Sequence, residues 1–258
     1  MNTTVVAVTG RLKALGRAEL TLLVRNRSAL AVALFVPVAM IGAIKASLDP
    51  LDPEEAGMSV PEAAMTGGIG MTLIMVVYTN LVSAYTARRE ALVLKRLRTG
   101  EASDPEILTG IALPAAVLAL AQCAVMVVAG VVLLRLKVPV RPELLVAGVL
   151  VGMVLLSALA AATSAYTRTV ESAQITTLPV FLVSMIGSGL FIPLEVLPQK
   201  MASLCELLPM TGVVQLVRAG WLGGAQTYDL LGAALNALAW TVLAVFAVVR
   251  WFRWEPRR

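Results

Sequence analysis

The stretch ILTGIALPAAVLALAQCAVMVVAGVVLL, residues Ile107–Leu134, contains no Asp, Glu, Lys or Arg. A helix needs about 20 apolar residues to cross the roughly 30 Å hydrocarbon core of a bilayer, and this stretch exceeds that length. A helix in a soluble bundle would carry charged residues along one side, at a period of 3.6 residues. Because this stretch has no charged side, it predicts a transmembrane helix.

Five more windows lack these four residue types, in a chain of 258 residues that is 59% hydrophobic and only 14% charged. They are Ser28–Ile44, Ala63–Ala87, Leu144–Thr167, Ser172–Leu194 and Leu230–Val249. The first window is short and contains Pro37, so we expect Arg27 and Lys45 to extend it by reaching to the interface. Together the windows predict an all-α integral membrane protein with six transmembrane helices.

The basic residues predict the orientation, because they collect in the cytoplasmic loops of membrane proteins. Most of them lie in segments that six spans place on one side: Arg11, Lys13, Arg17, Arg25, Arg27, Arg88, Arg89, Lys95, Arg96, Arg98, Arg168, Arg250, Arg253, Arg257 and Arg258. The loop after span one is instead acidic. The exception is the loop with Arg135, Lys137 and Arg141, which this topology places outside. The pattern predicts that both termini are cytoplasmic.

Two segments outside the windows are expected to lie at the membrane surface. Arg11–Arg27 mixes leucines with basic residues, which favours an interfacial helix on the inner leaflet, with a disordered leader as the alternative. Leu207–Val217 is apolar but too short to cross. We therefore expect Glu195–Asp229 to form a re-entrant or interfacial helical hairpin on the external side.

These assignments predict a single transmembrane domain over residues 1–258. Its parts are a cytoplasmic interfacial helix (1–27), spans one to five (28–194), the external hairpin (195–229), span six (230–249) and a cytoplasmic tail (250–258).

The loop after span two, Ala87–Thr99, is predicted to be a short amphipathic helix with Leu94 and Leu97 among Arg and Lys. Ser103-Asp-Pro-Glu106 then predicts a new helix start, with a capping side chain, a proline at the first helical position and an acidic residue at the positive helix end. Such a helix is suited to receive force from a cytoplasmic partner. The alternative is a solvated basic loop that only fixes the orientation.

Small polar residues recur at helical spacing along spans two and five. The candidates are Thr72, Thr79, Asn80 and Ser83 in span two and Thr177, Phe181, Ser184 and Ser188 in span five. Polar side chains in a bilayer face other helices or a cavity. The stripes therefore predict either ordinary helix packing or the wall of a pathway.

The sequence also restricts the chemistry. It contains no histidine and no GxxxxGK[ST] phosphate-binding loop, and the windows contain no cluster of catalytic or metal-ligating residues. We predict no catalytic residue, no metal site, no cofactor and no nucleic-acid partner for this chain. An ion-coupled secondary transporter remains an alternative, since sodium can be coordinated by backbone carbonyls. An integral membrane enzyme is a less favoured one.

Two stretches resemble the permease subunits of ABC exporters of the ABC-2 type, near the daunorubicin-resistance and antibiotic-export branch. ARREALVLKRLRTGEASDPEILTG (Ala87–Gly110) is similar to the family's cytoplasmic coupling helix, and we call its part Ala87–Thr99 the coupling segment. Ala91-Leu92 departs from the family, where a glycine is frequent in the turn. GSGLFIPLEVLPQKMASLCELLPMTGVVQLVRAGW (Gly187–Trp221) is similar to the signature after span five. The recurring positions are Gly189, Phe191, Pro193, Pro198, Pro209, Thr211 and Arg218.

The resemblance implies a permease in a bacterial cell membrane that exports a drug, antibiotic or lipid-like cargo. It implies two ATP-binding-cassette ATPase subunits, which hold ATP and Mg, and a second permease copy that forms a homodimer. The substrate pathway would run between spans two and five of the two copies. The coupling residues implied in this way are Arg89, Glu90, Leu94, Lys95, Arg96 and Leu97.

Overall fold

The computed structural model of the chain describes residues 60–100, 103–190 and 198–255, together with Thr21, Ala39 and Leu194. These residues are mostly helical and contain no strand. Apart from Thr21 and Ala39, the predicted interfacial helix Arg11–Arg27 and the predicted first span Ser28–Ile44 lie outside the described residues. The same holds for Phe191 and Pro193 of the signature.

The described chain is a series of helices joined by short turns. In order they are α1 (Val60–Thr72), a π-helix (Leu73–Thr79), α2 (Asn80–Glu90), α3 (Val93–Arg98), α4 (Asp104–Leu133), α5 (Pro142–Ser164), α6 (Val170–Gly187), α7 (Gln199–Glu206), α8 (Thr211–Leu222) and α9 (Thr227–Trp251). Among the described residues, five helices are long and apolar enough to cross a membrane: Pro61–Glu90, α4, α5, α6 and α9. They correspond to predicted spans two to six.

Span two is one continuous rod, made of α1, the π-helix and α2, and it is the most enclosed of the five. The most apolar 18-residue stretch of span two is 78% buried, whereas the corresponding stretches of the other four spans are 17–50% buried. Within the π-helix, Leu73, Ile74, Val76, Val77 and Tyr78 are all buried, so neighbouring helices surround this part of the rod. The other helices are therefore arranged around span two.

Local capping interactions account for the start of α4 and for the end of α6. The backbone N–H of Ser103 donates to Glu106 Oε2 at 2.6 Å, which confirms the predicted helix start. The prediction that span five reaches Leu194 is wrong. The helix ends at Gly187, because Gly189 has φ +73°, a left-handed conformation that terminates helices.

Glycines bring α5 and α8 into backbone contact. Gly148 and Gly152 of α5 lie against Val217 and Val213 of α8. A methyl group added at Gly220 of α8 would lie 2.3 Å from the backbone nitrogen of Leu145 on α5. Because a bilayer provides no hydrophobic driving force between helices, such close packing is a main source of their association.

Contacts at the helix ends show which loops share a side of the molecule. Lys95 Nζ of α3 lies 2.9 Å from Glu255 Oε1, so the coupling segment and the end of the chain lie together. The backbone N–H of Arg141 donates to the carbonyl of Gly220 at 2.9 Å, so the α4–α5 loop lies beside the end of α8. These relative positions agree with the sides that the basic residues predict.

The predicted hairpin corresponds to α7 and α8, joined by a turn at Leu207–Met210. Helix α7 has no buried residue, whereas α8 buries nine of its twelve residues against α5, α9 and α1. Burial in protein is what backbone within a membrane requires. Residues 195–197 of the predicted hairpin lie outside the described part, and its re-entry from the external side stays a prediction.

The glycine contact predicts a strong difference between two matched substitutions. Gly220→Ala should lower the free energy of unfolding by about 1–3 kcal/mol, because its methyl group meets the rigid backbone of α5. Gly232→Ala on α9 meets no atom within 4 Å and should raise stability by about 0.5–1 kcal/mol through helix propensity. Thermal unfolding in detergent measures both. Equal stability of the two variants would contradict the packing.

Candidate functional site

The coupling segment is an elbow of two helices, not the single helix that the sequence predicts. The rod ends at Glu90, and Leu92 adopts φ +58°, in the left-handed region that costs a residue with a side chain roughly 1–2 kcal/mol. The chain then resumes as α3, where Arg96 N–H donates to Leu92 O at 3.0 Å. After this turn the Leu94 side chain is fully buried in the core. The prediction of one helix over Ala87–Thr99 is therefore wrong.

Three of the six coupling candidates lie on the surface. Glu90, Lys95 and Arg96 are exposed, whereas Leu97 is half-buried against the core. Leu94 anchors α3 from the inside. Among the candidates, Glu90, Lys95 and Arg96 are therefore the side chains that a partner protein can reach most directly.

The sixth candidate, Arg89, points into the protein and is only 1% exposed. Its Nη1 donates to the carbonyl of Ser164 at 2.6 Å, and its Nη2 donates to the carbonyl of Thr167. The Ser164 carbonyl lies at the end of α5, where a helix leaves carbonyl groups without partners and where a cation is favourable, and the Thr167 carbonyl lies in the loop that follows. Arg89 therefore ties the end of the span-two rod to the α5–α6 loop.

The pathway candidates of span two do not share one surface. Thr72 is buried, and its hydroxyl donates to Met126 Sδ of α4 at 3.4 Å. The π-helix between Thr72 and Thr79 has more residues per turn than an α-helix and so shifts the spacing of the stripe. Thr79 and Ser83 are half-buried, and Asn80 is exposed. These three candidates lie together on an accessible side of the rod.

The pathway candidates of span five lie on or just after a helix, α6, that packs on span two of the same chain. Thr177, Ser184 and Ser188 are buried, Phe181 is half-buried, and α6 packs on α2 and the π-helix. Within the described part of the chain, the hydroxyls of Ser184 and Ser188 have no hydrogen-bond partner. The structure thus encloses the polar candidates of span five, whereas on span two it encloses Thr72 and leaves Thr79, Asn80 and Ser83 accessible.

A cavity of about 900 Å³ lies between α8 and α9 and reaches Ser188. Polar side chains at its wall donate hydrogen bonds to backbone carbonyls of neighbouring segments. Arg218 Nη2 donates to the carbonyl of Gly189 at 2.7 Å, and Trp240 Nε1 of α9 donates to the carbonyl of Leu207 at 2.7 Å. Asn236 makes a similar bond to Glu206, at 2.8 Å. Asn236 and Trp240 were not predicted as site residues, although two polar side chains four residues apart in a charge-free window are a signal of a shared helix face.

The described residues contain no group of three or more His, Cys, Asp or Glu side chains that could hold a metal ion. Their polar groups are instead engaged in helix caps and in contacts between helices, such as the bond between Tyr78 and Thr163 at 3.1 Å.

Comparison with known protein families gives a match to the family described as ABC-2 type transporter, over residues 10–222. The match extends through the coupling segment and includes helices α1 to α8. A comparison with curated proteins gives no match.

The left-handed turn predicts the effect of glycine at two neighbouring positions. Leu92→Gly should relieve roughly 1–2 kcal/mol of backbone strain in the folded protein. Glycine also makes the unfolded chain more flexible, which costs about 0.5–1 kcal/mol of stability. We therefore expect unchanged or higher stability. Ala91→Gly, at φ −74°, has no strain to relieve and should lower stability by about 0.5–1 kcal/mol. Thermal unfolding of both variants in detergent tests this. If Leu92→Gly destabilises the protein as much as Ala91→Gly, the left-handed turn is absent.

Proposed function

The chain belongs to the ABC-2 type transporter family, as a multi-pass permease component, and we propose that it exports a hydrophobic or amphipathic cargo. In this proposal ATP is hydrolysed by two copies of a separate ATP-binding-cassette subunit. The 258 residues contain no phosphate-binding loop, which supports placing hydrolysis on a partner. A drug, antibiotic or lipid-like cargo fits a daunorubicin-resistance-like branch of the family.

The relative sides of the loops support the proposed orientation, with the coupling segment in the cytoplasm. Among the described residues, more basic residues lie on the side of the coupling segment than on the opposite side. Those on the side of the coupling segment are Arg88, Arg89, Lys95, Arg96, Arg98, Arg168, Arg250 and Arg253. This excess supports a cytoplasmic location of the coupling segment and the C-terminal end, in a bacterial cell membrane.

The elbow of the coupling segment carries the proposal. Glu90, Lys95 and Arg96 offer charges of both signs to an ATPase surface. Because Leu94 is buried and Arg89 holds the end of α5, a displacement of α3 moves the span-two rod and the α5–α6 loop together. The elbow thereby links a docking surface to three of the spans.

The pathway is proposed to lie between spans two and five of two identical copies. Thr79, Asn80 and Ser83 are accessible on span two and suit contact with cargo. The hydroxyls of Ser184 and Ser188 on span five have no partner among the described residues, and buried polar groups of this kind call for a reason. Exposure to cargo after spans two and five separate would supply one.

Removing the exposed charges of the elbow should uncouple the transporter. We expect the double variant Glu90→Ala/Arg96→Ala to insert normally and to lose most cargo export and most cargo stimulation of ATP hydrolysis. The matched control Arg168→Ala/Glu171→Ala removes two exposed charges of opposite sign on the same side, one from the α5–α6 loop and one from the first turn of α6. Transport and ATPase assays on the reconstituted complex compare them. Normal coupling in the first variant would exclude docking through Glu90 and Arg96.

Tryptophan substitutions separate a pathway role from a packing role. Thr79→Trp should change the relative export rates of several cargoes at normal assembly, because this side chain is accessible. Ser184→Trp overfills a buried contact and should destabilise by about 1–3 kcal/mol, which lowers the amount of assembled complex. Leu182→Trp, on the exposed apolar side of α6, is the control for bulk. Unchanged cargo ranking in Thr79→Trp would argue against the pathway on span two.

A further inference from the structure

The segment that follows α9 packs against the rod. We call its residues Phe252–Glu255 the tail; they are part of the predicted cytoplasmic tail 250–258. The ring of Phe252 lies edge-on to Tyr85 of α2, with centroids 6.2 Å apart, and to Trp254, with centroids 4.9 Å apart. Phe252 and Trp254 are both partly buried against the core. Aromatic contacts of this geometry are favourable, so the tail has a fixed place beside α2 and α3.

Charged groups connect the tail to α3. The guanidinium of Arg98 lies 4.9 Å from the centre of the Trp254 ring, and its Nε donates to Asp104 Oδ1 at 3.1 Å. Lys95 Nζ pairs with Glu255 Oε1 at 2.9 Å. Helix α3 is therefore held between the tail on one side and the start of α4 on the other.

A groove of about 670 Å³ lies between α3 and the tail, lined by Lys95, Arg98, Thr99, Arg253, Trp254 and Glu255. Three of these residues are cations and one is an anion, which is paired with Lys95. Arg253 is exposed and makes no ion pair within the part of the chain that the structure describes. The groove thus offers positive charge beside an aromatic wall.

We propose that this groove binds an acidic segment of the ATPase subunit, so that the docking surface combines the coupling segment with the tail. The inference rests on the proposed function and names a second part of its partner surface. Complementary charge across an interface supports association and fixes its register. Glu90 and Glu255 among the cations favour a protein surface over a uniformly anionic lipid surface.

The test uses the full-length permease in nanodiscs of neutral phosphatidylcholine and an ATP-binding-cassette ATPase from the same genome. Arg253→Glu should weaken ATPase binding about tenfold at low salt and less at high salt. Trp254→Ala should also weaken binding, and Trp254→Phe should largely restore it. The control Arg168→Glu makes the same charge change on the same side outside the groove and should bind nearly as the parent does.

The outcomes separate this inference from the proposed function. If the parent permease binds no ATPase, the proposed function fails. If Arg96→Glu weakens binding and Arg253→Glu and Trp254→Ala do not, only the composite surface is wrong. Equal weakening by Arg253→Glu and Arg168→Glu would reduce the effect to overall charge and overturn the groove. Loss of binding to anionic vesicles, with ATPase binding intact, would make the groove a lipid site instead.

Discussion

The backbone contact between α5 and α8 is the constraint on which the arrangement of the other helices depends. Helix α8 is too short to cross a bilayer and yet is buried on most of its surface. It holds its place because Gly148, Gly152 and Gly220 let the two backbones approach, and because the α4–α5 loop bonds to its last carbonyls. The same surface of α5 meets the rod, since Gly152 also lies against Leu73.

The rod is hydrogen-bonded to two neighbouring spans, so a displacement at one of its ends would also act on those spans. It is joined to α4 by the bond from Tyr85 to Leu108, at 3.0 Å, and to α5 by Tyr78 and Arg89. A guanidinium placed on helix-end carbonyls away from water is a strong and directional contact, because charged donors form stronger hydrogen bonds than neutral ones. Arg89 therefore acts inside the protein, although its neighbours Glu90 and Arg96 face outward.

The sequence predicted the features that follow from composition along a single helix. The charge-free windows predicted spans two to six, and Ser103 to Glu106 predicted the start of α4, because hydropathy and capping are local properties. The left-handed turn at Leu92 was not predicted, since it results from the burial of Leu94 in a core formed by distant segments. The inward direction of Arg89 was missed for the same reason: its partners lie 75 or more positions away along the chain.

The unequal bonding of the two polar stripes indicates how the helices can part. The rod is attached to α4 and α5 by side-chain hydrogen bonds, and breaking these in a bilayer would leave polar groups without partners. Helix α6 packs on the same rod, but its buried Ser184 and Ser188 hydroxyls make no hydrogen bond among the described residues. Separating α6 from the rod would therefore remove apolar packing while giving these hydroxyls access to new partners. For the proposed pathway between spans two and five of two copies, span five is accordingly the neighbour of the rod whose movement would open the buried hydroxyls to cargo.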